Sequence, residues 1–505
     1  MAIVCYTVCV VPVTLCRTLM TRFRSFFVTT GLVLLLATTL PVAAQPAPLP
    51  PEPVPVPAAA DEQSANLVMS AFLPLVSVGY DPSPFGFDVR TNAPGNMMPL
   101  VAEANPRWSR AGDVLWAWVE PVRGAGYQWG VLADIESNVR RLRAAGIEPT
   151  LVVQWSPSWA QSIPGKLCSP PRPDAVAEFA AFMQAVAQRF SAGDLRVDYW
   201  EIWNEPDVRP EEVAGNEGFG CWATLTPPYY GGDYYGHVLR AVYPAIKAGN
   251  PRAQVWGGAL LHHWPDDTLS LGFVRGILAA GAASSFDALS FHAYGEWGAG
   301  DRLLFKQAQL RRLLDEHGLH SRPLVATEIA ATCNSNTDCP PNFLQRQANY
   351  AARIYAQAIA LNLLGAFWYT LSYRGPGFLH SHLIDETDGG PVPRPAFYAF
   401  RNSAQLLAGA RYIGLPVVEP PASQASEVQV LPFEKGRNRL YVFWVPRTDF
   451  PVLYNLPVPP GATAICTDQL NMATPAQYYC SDINRDGFIP RAVNELPQYV
   501  EVVMP

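Results

Sequence analysis

Residues 199–207 read Tyr-Trp-Glu-Ile-Trp-Asn-Glu-Pro-Asp. A short apolar run bounded by turn residues reads as a buried strand, and Asn204-Glu205-Pro206 is the turn that ends it. Pro206 stops the run, because it has no N–H to give to a ladder. A carboxylate beside an indole at the end of such a strand is not there to build a core. Glu201 shares the strand parity of Glu205 but lies deeper, where a carboxylate needs a partner.

Outward from this strand, residues 70 to 405 alternate short apolar runs with stretches of helical period. The strand candidates are 86–90, 114–120, 148–155, 197–205, 254–260, 288–294, 324–329 and 365–371. Helical stretches lie at 135–145, 175–190, 234–248, 303–317 and 344–361. Eight strand–helix units in series predict an α/β chain built as a (β/α)8 TIM barrel, not an open sheet. Chemistry in such a barrel sits at the C-terminal ends of the strands. On this reading those ends carry Arg90, Glu120, Trp155, Asn204 with Glu205, His262, His292 with Tyr294, Glu328 and Trp368.

After about residue 410 the texture changes. The runs 427–432, 439–445 and 499–503 alternate between Pro- and Gly-rich turns, which predicts a smaller C-terminal antiparallel β-sandwich. A strand at 75–80 is a candidate to join it. The division expected is 66–408 for the barrel and 409–505 for the sandwich. Asp482-Ile-Asn-Arg-Asp-Gly487 looks like the first half of a calcium loop, but its twelfth position is Val493, so a turn between strands is the better reading.

The N-terminus reads as a targeting segment. Arg17, Arg22 and Arg24 precede an apolar run over 26–40, and Val42-Ala43-Ala44 offers a cleavage site before Gln45. Residues 1–44 are expected to be a signal peptide, with Met20 the more ordinary start, and 45–65 a stiff Pro/Ala-rich linker. The mature chain would be secreted and hold no membrane span; the alternative is an uncleaved anchor outside the membrane. Cysteine usage agrees: Cys168, Cys221, Cys333, Cys339, Cys466 and Cys480 follow the leader, and an even number suggests disulfides. Sequence-local pairing gives Cys333–Cys339 and Cys466–Cys480 and leaves Cys168 with Cys221, one of several connectivities the spacing allows. A zinc site is the alternative, without ligand spacing to support it. Net charge is -7, and no clustered basic stretch suggests nucleic acid.

Glu205 and Glu328, on the fourth and seventh strands, would face one reaction volume. Two carboxylates placed so, among aromatic side chains, are the parts needed to break a glycosidic bond. Trp203-Asn204-Glu205-Pro206 followed by Thr327-Glu328 resembles the clan A glycoside hydrolases. So do Trp155-Ser-Pro-Ser-Trp159, Phe291-His292-Ala293-Tyr294 and Phe367-Trp368. The appended β-domain is similar to the β-xylosidase and α-L-iduronidase branch. The resemblance implies a retaining enzyme with Glu205 as acid/base, Glu328 as nucleophile and Asn204 on the 2-hydroxyl. His292 and Tyr294 would position or tune the carboxylates, Trp368 would floor the sugar subsite and Trp155 would border it. Arg90 would be a charge partner of Glu328. The substrate would be an oligosaccharide or polysaccharide, with no cofactor and no metal; His380 and His382 lack a third ligand. A carbohydrate-binding barrel without turnover, and a transglycosylase using the same carboxylates, are the alternatives. Sugar, linkage and endo or exo action are not legible, although long loops at 156–172 and 207–232 would close one end of a cleft.

Overall fold

The computed structural model describes residues 83–504, except 90–94, 214–217, 262–267, 297–301, 334–338, 375–379, 418–426, 447 and 449. The expected leader and linker, the strand at 75–80, Arg90, His262 and His263 lie outside the described residues.

Eight parallel strands close into a barrel in chain order. They are β1 Phe85–Asp88, β2 Trp108–Leu115, β3 Glu148–Gln154, β4 Tyr199–Ile202, β5 Gln254–Leu260, β6 Ala288–Glu296, β7 Leu324–Thr332 and β8 Gly365–Trp368. The α-helices are α1 Met98–Ala104, α2 Trp116–Val119, α3 Ala133–Ala144, α4 Val176–Arg189, α5 Gly232–Gly249, α6 Thr268–Ala279, α7 Arg302–Glu316, α8 Phe343–Ala360 and α9 Pro395–Leu407. Strands buried on both faces carry near-continuous apolar sequence, as Leu151–Val153 of β3 does. No helix among the described residues is long and apolar enough to cross a membrane.

The barrel interior is layered. Trp108, Tyr199, Trp256, Ala288, Val325 and Phe367 form an apolar floor. Gly86 belongs to this level because a Cβ there would stand 2.9 Å from Trp108 Cβ. Two residues further along their strands, Asp88, Arg110, Glu201 and Thr327 form a buried polar layer, as a period of two requires.

Two strands differ from expectation. β2 begins at Trp108, not at residue 114, and residues 116–119 form the short helix α2. Its register against β3 shifts between Arg110 and Asp113, where Gly112 takes a φ of 140°. This bulge breaks the alternation that marks a strand. Glu120 therefore ends α2 and no strand, and its carboxylate accepts the Trp116 indole N–H at 2.9 Å. β8 ends at Trp368, earlier than residue 371.

Beyond β8, the strands β9 Ser372–Tyr373, β10 Ile384–Thr387 and β11 Gly390–Pro393 form a small sheet. The C-terminal part holds β12 Ala410–Tyr412, β13 Gln429–Lys435, β14 Asn438–Trp444, β15 Val452–Pro457, β16 Thr463–Asp468, β17 Ala476–Tyr479, β18 Phe488–Val493 and β19 Gln498–Val503. Six of them make one antiparallel sheet, in the order β12-β13-β14-β19-β16-β17, and β15 pairs with β18 as a ribbon. Leu440, Val442 and Trp444 of β14 join the barrel core, whereas Phe443 and Val445 pack with Leu456, Ile489 and Val493 of the ribbon. The Tyr499 hydroxyl donates to the Ala352 carbonyl on α8 at 2.6 Å. Asn402 on α9 donates to Leu470 O at 2.7 Å and Met472 O at 3.0 Å. The calcium-like loop is a turn, since Asp482 is filled by the N–H groups of Gly461 at 2.8 Å and Gly487 at 2.9 Å.

Disulfides join Cys168 to Cys221, Cys333 to Cys339 and Cys466 to Cys480. These are the pairs that sequence-local pairing predicts.

Candidate active site

Trp203 follows β4 directly, with a φ of 68°, and Glu205, two residues on, has a φ of 48°. Left-handed backbone is unfavourable for side chains of this size and persists only where the surroundings impose it. Here the Glu205 N–H donates to Ala259 O at 3.1 Å, and the Asp207 carboxylate accepts Leu261 N–H at 2.9 Å and Ser270 O–H at 2.5 Å. Glu328 sits within β7, which runs on to Thr332. A register shift between β6 and β7 after Phe291 sets His292 opposite Glu328.

An oxygen of Glu205, an oxygen of Glu328 and a ring nitrogen of His292 lie within 4.8 Å of one another, all buried. His292 Nδ1 shares a hydrogen bond with Glu205 Oε1 at 2.7 Å and stands 3.5 Å from Glu328 Oε2. The Tyr294 hydroxyl donates to Glu328 Oε2, and Arg110 Nη1 donates to Glu328 Oε1. Arg110 also reaches Glu201 Oε2 at 2.8 Å, Asn204 Oδ1 at 3.0 Å and Asp88 Oδ2 at 3.6 Å. Thr327 donates to the other Glu201 oxygen at 2.7 Å. Glu201 is thus the paired structural carboxylate that its depth in the strand predicts.

The two carboxyls share burial but not surroundings. Burial pushes Glu205 well up, and the negative charges of Glu328 and Asp207 push it further. Burial also raises Glu328, but the Arg110 guanidinium and the Tyr294 hydroxyl oppose it and leave the group at about 7. Both carboxyls are thus held above the ordinary carboxylate range, and Glu328 is the one that takes direct hydrogen bonds from a guanidinium and a phenol, which favour its ionised form. His292 is held well below the ordinary imidazole range by burial and by the charges of Arg110 and Lys306, so its ring is neutral. Each Glu328 oxygen already accepts a donor, Oε1 from the Arg110 guanidinium and Oε2 from the Tyr294 hydroxyl. The Cys333, Cys339 and His380 cluster has ligand spacing too, but its sulfurs are bonded to each other.

Asn204 accepts from Arg110 and donates to Gly218 O at 2.9 Å, which fixes its amide beside Glu205. Trp155 follows β3 with a φ of 68°, partly exposed, its ring 5.6 Å from that of Trp118 on α2. Trp118 is 55% exposed. Trp159 packs away from the cleft, against Trp116, and donates to Glu120 O at 3.0 Å. His382 is bound to Asp385 at 2.8 Å in the loop after β8.

The expectation for Trp368 is corrected. Trp368 is 0% exposed, donates its indole N–H to Ser381 O at 2.7 Å and packs on Tyr350 of α8. Phe367 points into the barrel floor, so its neighbour Trp368 points out and Tyr369 points in. The Tyr369 ring lies 6.2 Å from that of Tyr294. Arg90, outside the described residues, is not needed to explain the charge on Glu328, which Arg110 supplies. Sequence reasoning missed Arg110, Tyr369 and Lys306, a buried lysine on α7 whose ammonium donates to Leu260 O at 2.6 Å.

No sequence-family model matches the chain, and no curated protein matches it in sequence. Solved structures match its fold. A family 39 glycoside hydrolase from the gut symbiont Bacteroides cellulosilyticus WH2 aligns at a TM-score of 0.61 and 19% identity, over 84% of this chain and 82% of that one. A family 30 endoxylanase from Clostridium papyrosolvens C71 aligns at 0.57 and 12% identity, over 84% and 97%. A conserved exported protein from Bacteroides fragilis aligns at 0.61 and 13% identity, over 83% and 98%. The chain therefore shares the fold of the clan A families 39 and 30, barrel and appended β-domain together. At these identities the likeness is one of fold.

Proposed function

We propose that this chain is a secreted retaining glycoside hydrolase that cleaves O-glycosidic bonds of an oligosaccharide or polysaccharide. The observation that carries the reading is two buried carboxyls within 4.8 Å in unlike surroundings, Glu328 accepting the Arg110 guanidinium and the Tyr294 hydroxyl while Glu205 meets the His292 ring. Such a separation leaves no room for the water that an inverting enzyme places between its carboxyls. Glu328 attacks the anomeric carbon while Glu205 gives its proton to the departing oxygen, leaving the sugar as an ester on Glu328. Glu205, now a carboxylate, takes a proton from water; the water oxygen attacks the anomeric carbon and frees Glu328. The reaction needs no cofactor.

Asn204 binds the 2-hydroxyl with the free lone pair of its amide oxygen. Tyr294 and Arg110 draw Glu328 toward its ionised form, and His292 orients Glu205. Tyr369 supplies the ring beneath the sugar, and Trp155 borders the cleft. The disulfides support an oxidising destination, in keeping with the leader.

The test is turnover of aryl β-glycosides and α-L-arabinosides by the purified chain, with Glu205→Gln and Glu328→Gln alongside. The expected result is release from one or a few substrates, falling by about 10³-fold or more in Glu328→Gln, with the first-formed sugar keeping the anomeric configuration of the substrate. Full activity of Glu328→Gln, or an inverted first product, would sink the reading.

A further inference from the structure

We infer that the Cys168–Cys221 disulfide, with Gly220, is a positioning device for the Glu205 proton. The inference rests on Glu205 acting as acid/base and explains how its unusual backbone is imposed.

Glu205 and Trp203 are both left-handed residues without glycine's freedom, so something outside β4 must hold them. The segment 218–223 does so by folding back along 203–208. Gly218 O accepts from the Asn204 amide at 2.9 Å, Trp222 N–H donates to Pro206 O at 3.3 Å, and Ala223 N–H donates to Val208 O at 3.2 Å. The Trp222 ring meets the Trp203 ring edge-on at 4.7 Å. Between these contacts Gly220 lies against the catalytic backbone itself. A Cβ there would stand 2.7 Å from the carbonyl oxygens of both Asn204 and Glu205 and 2.8 Å from Pro206 Cα. No other residue type fits that approach.

The segment has little secondary structure of its own. It is fastened one residue after Gly220, where Cys221 is bonded to Cys168 in the loop after β3 and its N–H donates to Cys168 O at 3.3 Å. The anchor is buried with Val208 and Val213. The Cys168 loop is in turn tied to the end of β3, Leu167 O accepting the Ser156 N–H at 2.9 Å. One covalent bond thus joins the loops after β3 and β4 around the turn that carries Glu205. It touches neither carboxyl; it acts through the backbone that aims one of them.

The experiment separates this from a general role in folding. The sugar that the aryl panel selects is presented as its phenyl, 4-nitrophenyl and 2,4-dinitrophenyl glycosides to the full chain, to C168S/C221S and to Glu205→Gln. A dinitrophenolate leaves without a proton, whereas a phenolate needs one. The clamp variant should lose about 30-fold or more in kcat/KM on the phenyl glycoside and less than about threefold on the dinitrophenyl glycoside, and Glu205→Gln should lose in the same sense but more steeply. Its rate should also lose the fall at high pH that Glu205 imposes on the native chain. Equal losses on all three glycosides, or no loss, would overturn the clamp. If Glu205→Gln itself lacks the leaving-group dependence, it is the assignment of Glu205 that fails. Should C168S/C221S not fold, Gly220→Ala keeps the disulfide and must give the same graded loss; an ungraded one rejects the proposal.

Discussion

At the scale of the residue, the site is organised by Arg110. One guanidinium meets Glu328, Glu201, Asp88 and Asn204, and so connects four strands or strand ends. Replacing it as Arg110→Met leaves three carboxylates buried without their cation. Such a loss costs about 3–5 kcal/mol, visible in urea unfolding, and the surviving fold should have Glu328 protonated at neutral pH. The native chain should show a bell-shaped kcat/KM. Its acid limb falls near pH 7 as Glu328 gains a proton, and its alkaline limb falls where Glu205 loses one. Tyr294→Phe removes a donor that lowers Glu328, so the acid limb should move to higher pH by about half a unit to one unit; a limb that stays in place would show that the hydroxyl does not bear on ionisation. That Glu205, Glu328 and Asn204 come together, with Glu201 paired beneath them, was legible because Asn-Glu-Pro follows one apolar run and Thr-Glu lies within another at the expected strands. Tyr369 was legible in principle too: once Phe367 is set inward, parity alone turns Trp368 outward.

At the scale of the element, β2 shows why Arg110 was not found. The run 114–120 is apolar and strand-like, yet most of it is a turn of helix, and the true strand reads Trp-Ser-Arg-Ala-Gly-Asp-Val-Leu with a bulge at Gly112. A bulge inserts a residue, so the period of two that reveals a strand is lost where it matters. β5, whose observed span is 254–260, was placed correctly although its register against β6 shifts between Gly257 and Leu260, because its ends still stand out as an apolar run. β1 is short and depends on Gly86 to approach Trp108 and Phe367. Gly86→Ala should lower stability by about 1–3 kcal/mol in thermal or denaturant unfolding, while kcat per folded molecule is kept, because the floor lies below the reacting groups.

At the scale of the molecule, the six-stranded sheet gives one face to the barrel helices and the other to its own ribbon. The change of texture near residue 410 was readable, since alternating runs replace helical period. The docking was not, since Asn402 and Tyr499 look like ordinary helix and strand residues until the two parts meet. Asn402→Ala strands two carbonyls, Leu470 O and Met472 O, in a buried joint. The expected loss is about 2–3 kcal/mol with kcat unchanged; a second, separate unfolding transition would show that the parts do not melt together. The corner of Trp118 and Trp155 gives the molecule a built-in optical signal. Trp108, Trp116, Trp200, Trp203, Trp256 and Trp368 are sealed from water and should emit at short wavelength, whereas among the described residues Trp118, 55% exposed beside the mouth of the barrel, should emit at the red edge of the fluorescence. Occupation of the mouth by glycan is then readable as a blue shift of that edge that the Trp118→Phe variant loses, without a label and before any bond is cut.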